Sequence, residues 1–389
     1  MKTRVAIVLV AAAALVLAGC GGKGGGNAIK IGMLYNMTGS QASLDAPSAN
    51  GATLAAKEIN AAGGVLGRQI QLVAYDGKSD AATIGTSATQ LVKTDKVVAM
   101  FGFSDSDMVM AAAPTAAKAG VVFVTSGATS PKLPEQVPDY LYLACFGDNV
   151  QAAAGAEYAV NTMKARNVYL LIDKGMEYTL LLGKYFKERF TELGGTVILE
   201  DTYQGGDKDF SAQITKLKGQ KAKADLLYIA SGPDDVGTIV KQFRDAGVKT
   251  PIMGGDGYDT PLLVQVAGKG SENVYFTTHS LVDAAQGTDA VKKFIAAYQA
   301  EFKNPPENAF AGLGYDTVKL LADAMKRANS SDPQKVRAAL SQTKDLAGVT
   351  GAITFAGSRI PQKGVTVILV KGGAFTLAAE VVPQKVPAP

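Results

Sequence analysis

Three short stretches carry side chains that could grip a small polar molecule. "SGAT" (Ser126 to Thr129) follows the apolar run "GVVFV". Its Gly127 lets the backbone come close to a ligand, Gly127 and Ala128 offer backbone N–H groups, and Thr129 offers a hydroxyl. "FSDSD" follows the run "VVAMFG" and opens a helix, where unbonded N–H groups and the positive dipole end suit an anion. Ser104 and Ser106 are both candidate hydroxyls there, and the sequence does not choose between them. In "MGGDGYD", Asp256 is a carboxylate flanked by glycines at the end of an apolar run. Taken by themselves, these residues read first as helix caps and turn formers.

Enzyme chemistry finds little support. The chain has one histidine, His279, in a run that reads as an interlobe strand and offers it no obvious partner. No GxxxxGK[ST] loop is present, no GxGxxG follows the first strand, and no Cys/His cluster suits a metal. No catalytic residue, metal or cofactor is therefore expected. Formal net charge is only +4, without a basic stripe, which argues against nucleic acid.

The elements that must position these loops alternate along the chain. "AIKIGMLYN", "RQIQLVAYD", "KVVAMFGF" and "GVVFVTS" read as strands. Between them, Ser48 to Gly64, "DAATIGTSATQLVKTD" and Met108 to Ala119 read as helices. The same alternation resumes from Asn167 to Asp256. It predicts right-handed parallel crossovers and two doubly wound α/β units in tandem. After Asp256 come a strand ("NVYFTTHS"), three helices and the late strands "GAITF" and "VTVILVKGGAF". A chain that builds one lobe, builds a second and returns to the first crosses several times, which is the geometry of a hinge.

The leading segment states an address. Lys2 and Arg4 precede a run of about a dozen apolar residues, the length of a secretory signal core and short of a membrane span. "LAGC" then resembles a bacterial lipobox, in which Cys20 is acylated and becomes the mature N-terminus. "GGKGGGN" reads as a flexible tether. The only other cysteine, Cys145, is expected to be a buried, inert thiol without a disulfide.

From about Ile29 to Leu377 the chain resembles the periplasmic binding proteins for leucine, isoleucine and valine that serve ABC importers. The resemblance is carried by "MTGSQASLDAPSANGATLAAKEINAAGGVLGRQIQLVAYDGKSD", "VTSGATSPKL", "DKDFSAQITKLK" and "AGVKTPIMGGDG", in that order and spacing. It implies a type I periplasmic binding protein fold, two Rossmann-like lobes joined by a hinge. The expected divisions are a signal peptide at 1–19 and a lipidated tether at 20–28. Lobe 1 would comprise 29–147 with 279–354, and lobe 2 would comprise 148–278 with 355–380.

The resemblance also implies roles. Ser104 or Ser106, the Gly127–Ala128 backbone and Thr129 would hold the ligand's carboxylate, and Asp256 its ammonium. Tyr178, at a strand-to-helix loop of lobe 2, would cover the ligand, Leu44 in the first loop would line the side-chain pocket, and Asp148 would touch the site at the first crossing. Leu44 stands where the family has an aromatic, and "SGPDD" replaces a second-lobe aromatic. The expected ligand is a free amino acid, branched-chain or otherwise aliphatic. A short amide or aromatic acid, or delivery to a sensor, is the alternative. The expected partners are permease subunits of an ABC importer and the membrane reached through the lipid. The protein would be a monomer at the periplasmic or outer face of a bacterial membrane.

Overall fold

The computed structural model describes residues 28–355 and 357–389. The signal, Cys20 and nearly all of the tether lie outside the described residues.

Lobe 1 begins with β1 (Ile29–Tyr35), α1 (Ala42–Ala61), β2 (Ile70–Asp76) and α2 (Ala81–Gln90). It continues with β3 (Ala99–Gly102), α3 (Ser106–Lys118), β4 (Val122–Thr125), α4 (Leu133–Gln136) and β5 (Leu141–Leu143). Its sheet is wholly parallel, in the order β2-β1-β3-β4-β5. Order reverses beside β1, so the loops after β1 and β3 open on the crevice where α/β sheets hold ligands.

Lobe 2 holds α5 (Asp148–Asn161), β6 (Asn167–Asp173), α6 (Glu177–Glu192), β7 (Thr196–Tyr203) and α7 (Ser211–Lys218). After them come β8 (Leu226–Ala230), α8 (Val236–Asp245), β9 (Ile252–Gly254), α9 (Pro261–Ala267) and β10 (Val274–Thr278). The chain then returns to lobe 1 with α10 (Asp289–Phe302), α11 (Ala309–Ala328) and α12 (Pro333–Ser341). It ends in lobe 2 with the hairpin β11 (Val365–Lys371) and β12 (Ala374–Val381). Sheet order is β12-β11-β10-β9-β8-β6-β7, parallel except for the two late strands, which add antiparallel at the edge. Gly372 and Gly373, both at positive φ, make the hairpin turn.

Local chemistry explains the helix starts. Asp80, Asp105, Thr260, Thr288, Asn308 and Asp332 each accept a backbone N–H of the first turn. α1 and α11 cross in close contact through Gly51 and Gly314; a Cβ on either would stand within 2 Å of a carbonyl of the other helix.

Three expectations need correcting. α1 starts at Ala42, six residues before Ser48, with Pro47 inside it. Pro47 cannot donate to the carbonyl of Ser43, and the side chain of Asn308, the N-cap of α11, does so instead, at 2.9 Å. "GAITF" is no strand of either sheet; only Ile353 forms an isolated bridge, to Leu346. Phe355 and Arg359, expected in lobe 2, pack on lobe 1: Phe355 joins its core and meets Tyr142, and Arg359 O accepts from the Leu143 N–H at 3.0 Å. The third crossing follows, and Lys363 ties it to the first by donating to Ala144 O at 2.9 Å.

Candidate functional site

The carboxyl ends of β3 and β4 in lobe 1 face those of β8 and β9 in lobe 2. Between them lies a pocket of ≈ 10 Å³ lined by Leu44, Ser104, Tyr178, Asp256, Gly257 and Phe310, with Met176 and Pro233 completing an apolar wall. Larger cavities exist, among them one of ≈ 550 Å³ on the hinge side beside Thr288 and Thr350. The ≈ 10 Å³ pocket is the one that gathers Ser104, Tyr178 and Asp256, and it is the candidate site.

On lobe 1, Ser104 ends the β3 loop and its hydroxyl has no partner in good geometry. Gly127 comes so close to Ser104 and the Phe310 ring that a Cβ there would meet both, at 3.1 and 2.7 Å. Ser106 is turned inward, accepting from the Ser130 N–H at 3.2 Å; of the two serines, Ser104 lines the pocket. The expectation of free backbone amides fails: the Gly127 N–H bonds Phe103 O at 3.1 Å and the Ala128 N–H bonds Thr125 Oγ1 at 3.0 Å. These bonds seat the β4 loop on β3 and leave the Thr129 side chain as its polar group. The Thr129 hydroxyl lies beside Asp148, and that of Ser104 beside Asp45, each lowering the acid's proton affinity without reaching hydrogen-bond geometry. Leu44 sits in the first turn of α1, not in a loop, and is buried. Cys145 is a free, buried thiol that donates to Ala128 O at 3.2 Å, its pKa raised by burial.

On lobe 2, Asp256 follows β9 in a single 3₁₀ turn and is 2% exposed. Its Oδ1 accepts from Gln151 Nε2 at 2.9 Å, and its backbone N–H donates to Gln151 Oε1 at 3.1 Å. Its Oδ2 lies 2.9 Å from His279 Nε2. The histidine expected to lack a partner therefore has one, because β9 and β10 are parallel neighbours whose carboxyl ends coincide. Tyr178, in the first turn of α6, accepts the Gly257 N–H at 3.0 Å, which leaves its own O–H free to donate. Asp148 is the first residue of α5; instead of capping it, the side chain accepts from Gln151 Nε2 at 3.1 Å. Burial drives the Asp148 carboxyl well above the usual range, with Asp256 adding to the shift. Burial likewise pushes Asp45 up to about 6 and Asp105 to about 7.

Sequence reasoning missed Gln151, His279 and Phe310. Gln151 had a signal, since it follows Asp148 by three residues on one helix face. Phe310, in a helix of the returning segment, had none.

The arrangement sets hydroxyls of one lobe across from a carboxylate of the other, with apolar groups at the side. A Periplasmic binding protein family model matches residues 28–374. Leu/Ile/Val-binding protein homolog 3 of Brucella melitensis is 30% identical over 84% of this chain and 87% of its own length. Leu/Ile/Val-binding protein BraC3 of Rhizobium johnstonii is 29% identical over the same shares. Among solved structures, the branched-chain amino acid transporter substrate binding protein LivJ of Streptococcus pneumoniae, in complex with isoleucine, superposes with TM-score 0.84. It is 33% identical and covers 92% of this chain and 99% of its own. Leucine binding protein LivK of Thermotoga maritima superposes with TM-score 0.85 at 31% identity, with the same coverage. The chain belongs to the periplasmic binding protein family, whose members are extracytoplasmic solute-binding proteins of transporters and not enzymes.

Proposed function

We propose that this protein captures a free branched-chain or other aliphatic amino acid by closing its two lobes and delivers it to an ABC importer. The observation that carries the reading is the pairing across one pocket of the Ser104 hydroxyl with the buried Asp256 carboxylate, beside the apolar wall of Leu44, Phe310 and Met176. Ser104 and Thr129 hold the ligand's carboxylate, Asp256 its ammonium, and Tyr178 covers it. Charge-assisted hydrogen bonds of about 1.5–3 kcal/mol each orient the zwitterion. Micromolar affinity requires only about −8 kcal/mol net. The "LAGC" sequence supports anchoring through acylated Cys20, which keeps a monomeric carrier near its permease.

The experiment is a thermal-shift and calorimetric panel of leucine, isoleucine, valine, glycine, 4-methylpentanoate and benzoate. Tight binding of one or more branched-chain amino acids, with weak binding of 4-methylpentanoate, is expected. Benzoate or 4-methylpentanoate binding as tightly as any amino acid would overturn the reading.

A further inference from the structure

His279 stands immediately after β10, where the chain leaves lobe 2 for the second crossing. Its ring stacks on Phe146, of the first crossing, with centroids 3.9 Å apart and planes 26° apart. Phe310 of lobe 1 meets it edge-on at 5.7 Å. Two aromatic contacts thus set the plane of the ring, and that plane carries Nε2 to Asp256 Oδ2. Burial lowers the pKa of the ring, with Asp256 opposing the shift. A neutral ring beside a carboxylate, which can only accept, must carry its proton on Nε2. Nδ1 has no hydrogen-bond partner among the described residues.

Asp256 is therefore held by two donors from different parts of the chain, Gln151 on Oδ1 and His279 on Oδ2. Each oxygen has two lone pairs, so each donor occupies one and leaves one. Rotating the carboxylate would break both bonds at once. We propose that His279 is a positioning residue for amine recognition: its Nε2–H, with Gln151, fixes the Asp256 carboxylate so that the remaining lone pairs face the cleft. The inference rests on the assignment of Asp256 to the ligand's ammonium. A residue needed only to fill the space between Phe146 and Phe310 would be apolar, since a buried ring nitrogen without a partner costs stability.

The same geometry makes affinity respond to pH. The charged groups facing the ring are Asp256, from the turn after β9, and Lys363, from the third crossing. A second proton on the ring places a cation against Asp256, where it competes with the ligand's ammonium, so binding weakens on acidification. Asp45, Asp105 and Asp259 also titrate in the range of about 6 to 7, so the comparison with a histidine-free variant isolates the ring's share.

The test compares wild type, His279→Gln, His279→Leu and Asp256→Asn by calorimetric titration with leucine, isoleucine and valine from pH 5 to 8, with thermal melts of each. His279→Leu is expected to weaken binding roughly tenfold or more while melting no lower than wild type. His279→Gln, which places an N–H near the same point, is expected to recover most of the affinity and to flatten the loss toward acid pH. Wild-type affinity in His279→Leu refutes the proposal. If His279→Leu does not fold, a His279→Gln pH profile identical to wild type refutes it. If Asp256→Asn also binds as wild type, the ammonium assignment itself has failed. If Asp256→Asn weakens binding and His279→Leu does not, only the role of His279 has failed.

Discussion

Replacing Asp256 by asparagine keeps the side chain's shape and removes its charge. The site is 2% exposed, so water cannot stand in for the lost anion. A carboxylate accepts from Gln151 Nε2 and His279 Nε2 at once; an amide has one acceptor and one donor, so one of those two N–H groups must face an NH₂. The ligand's ammonium loses its counter-charge in a dry pocket. Truncating one partner of a buried charged pair costs about 2–5 kcal/mol, which corresponds to roughly 30-fold to several thousand-fold weaker binding. Calorimetric titration with leucine at neutral pH measures this, and circular dichroism confirms that the fold survives. The expected selectivity is equally telling. Affinity for 4-methylpentanoate, which has no ammonium, should stay the same or improve, because a neutral amide no longer leaves a buried anion without its partner. A folded Asp256→Asn protein that binds leucine within about threefold of wild type would refute the assignment, since that is under 1 kcal/mol.

Thr129→Val should weaken leucine binding about tenfold while leaving the melting temperature unchanged or slightly raised, because it deletes a buried hydroxyl that lacks a good partner; titration and melts read the two signs separately. Gly51→Ala or Gly314→Ala should destabilise by about 1–3 kcal/mol in urea unfolding. The added Cβ would fall 1.8 Å from Ala311 O or 1.9 Å from Ser48 O and prise α1 from α11. Stability should also fall as pH rises from 5 to 8. Asp45, Asp105 and Asp259 are raised from 3.8 to about 6, 7 and 7 by burial, so each binds its proton more tightly folded than unfolded. Their contribution is fully present below about pH 4 and is lost as pH passes the folded values. The lowered pKa of His279 acts with the opposite sign, but Asp148 and Glu177, also raised by burial, add to the three acids. A melting temperature higher at pH 8 than at pH 5 would contradict this.

Most of the architecture was legible because apolar runs at strand length alternate with helical patterns, and because loops at strand ends are where such sheets bind. That reasoning named Ser104 with Ser106, Thr129 and Asp256 as candidates, of which Ser104 and Asp256 line the interlobe pocket. The errors have particular causes. The helix was expected to begin at Ser48, yet α1 runs through Pro47, and Asn308, 265 residues from Ser43, satisfies the Ser43 carbonyl that Pro47 cannot. Gly127 advertises close backbone approach, but its N–H is spent on Phe103 O, and the Ala128 N–H on the Thr125 side chain. Nothing local to His279 marks its partner, which is 23 residues away. The meeting follows only from the adjacency of β9 and β10, and strand order is what alternation of elements leaves open.

The closed geometry also says why closure should depend on ligand. A space of ≈ 10 Å³ holds about one water, so an amino acid enters only when the lobes part. Apposing the lobes buries the Ser104 and Thr129 hydroxyls and Asp148 Oδ2 without good partners, at about 1–3 kcal/mol each. The bonds gained by the first turn of α6 across the cleft are weak: the Glu177 N–H to Asp107 of α3 at 3.2 Å, and Ser130 of the β4 loop to Glu177 at 3.4 Å. Asp107 and Glu177 also repel each other there, and Glu177 is raised by burial and then by Asp107. Protein contacts alone therefore give closure little net drive. In the proposed reading, a zwitterion changes the balance at both ends, turning the hydroxyls into donors to a carboxylate and giving Asp256 a cation. Those interactions exist only with the lobes together, which is the differential affinity that shifts a two-state hinge. An acid without the amine would satisfy the lobe 1 hydroxyls and still leave Asp256 buried and unpaired, so it should bind the open form without closing it.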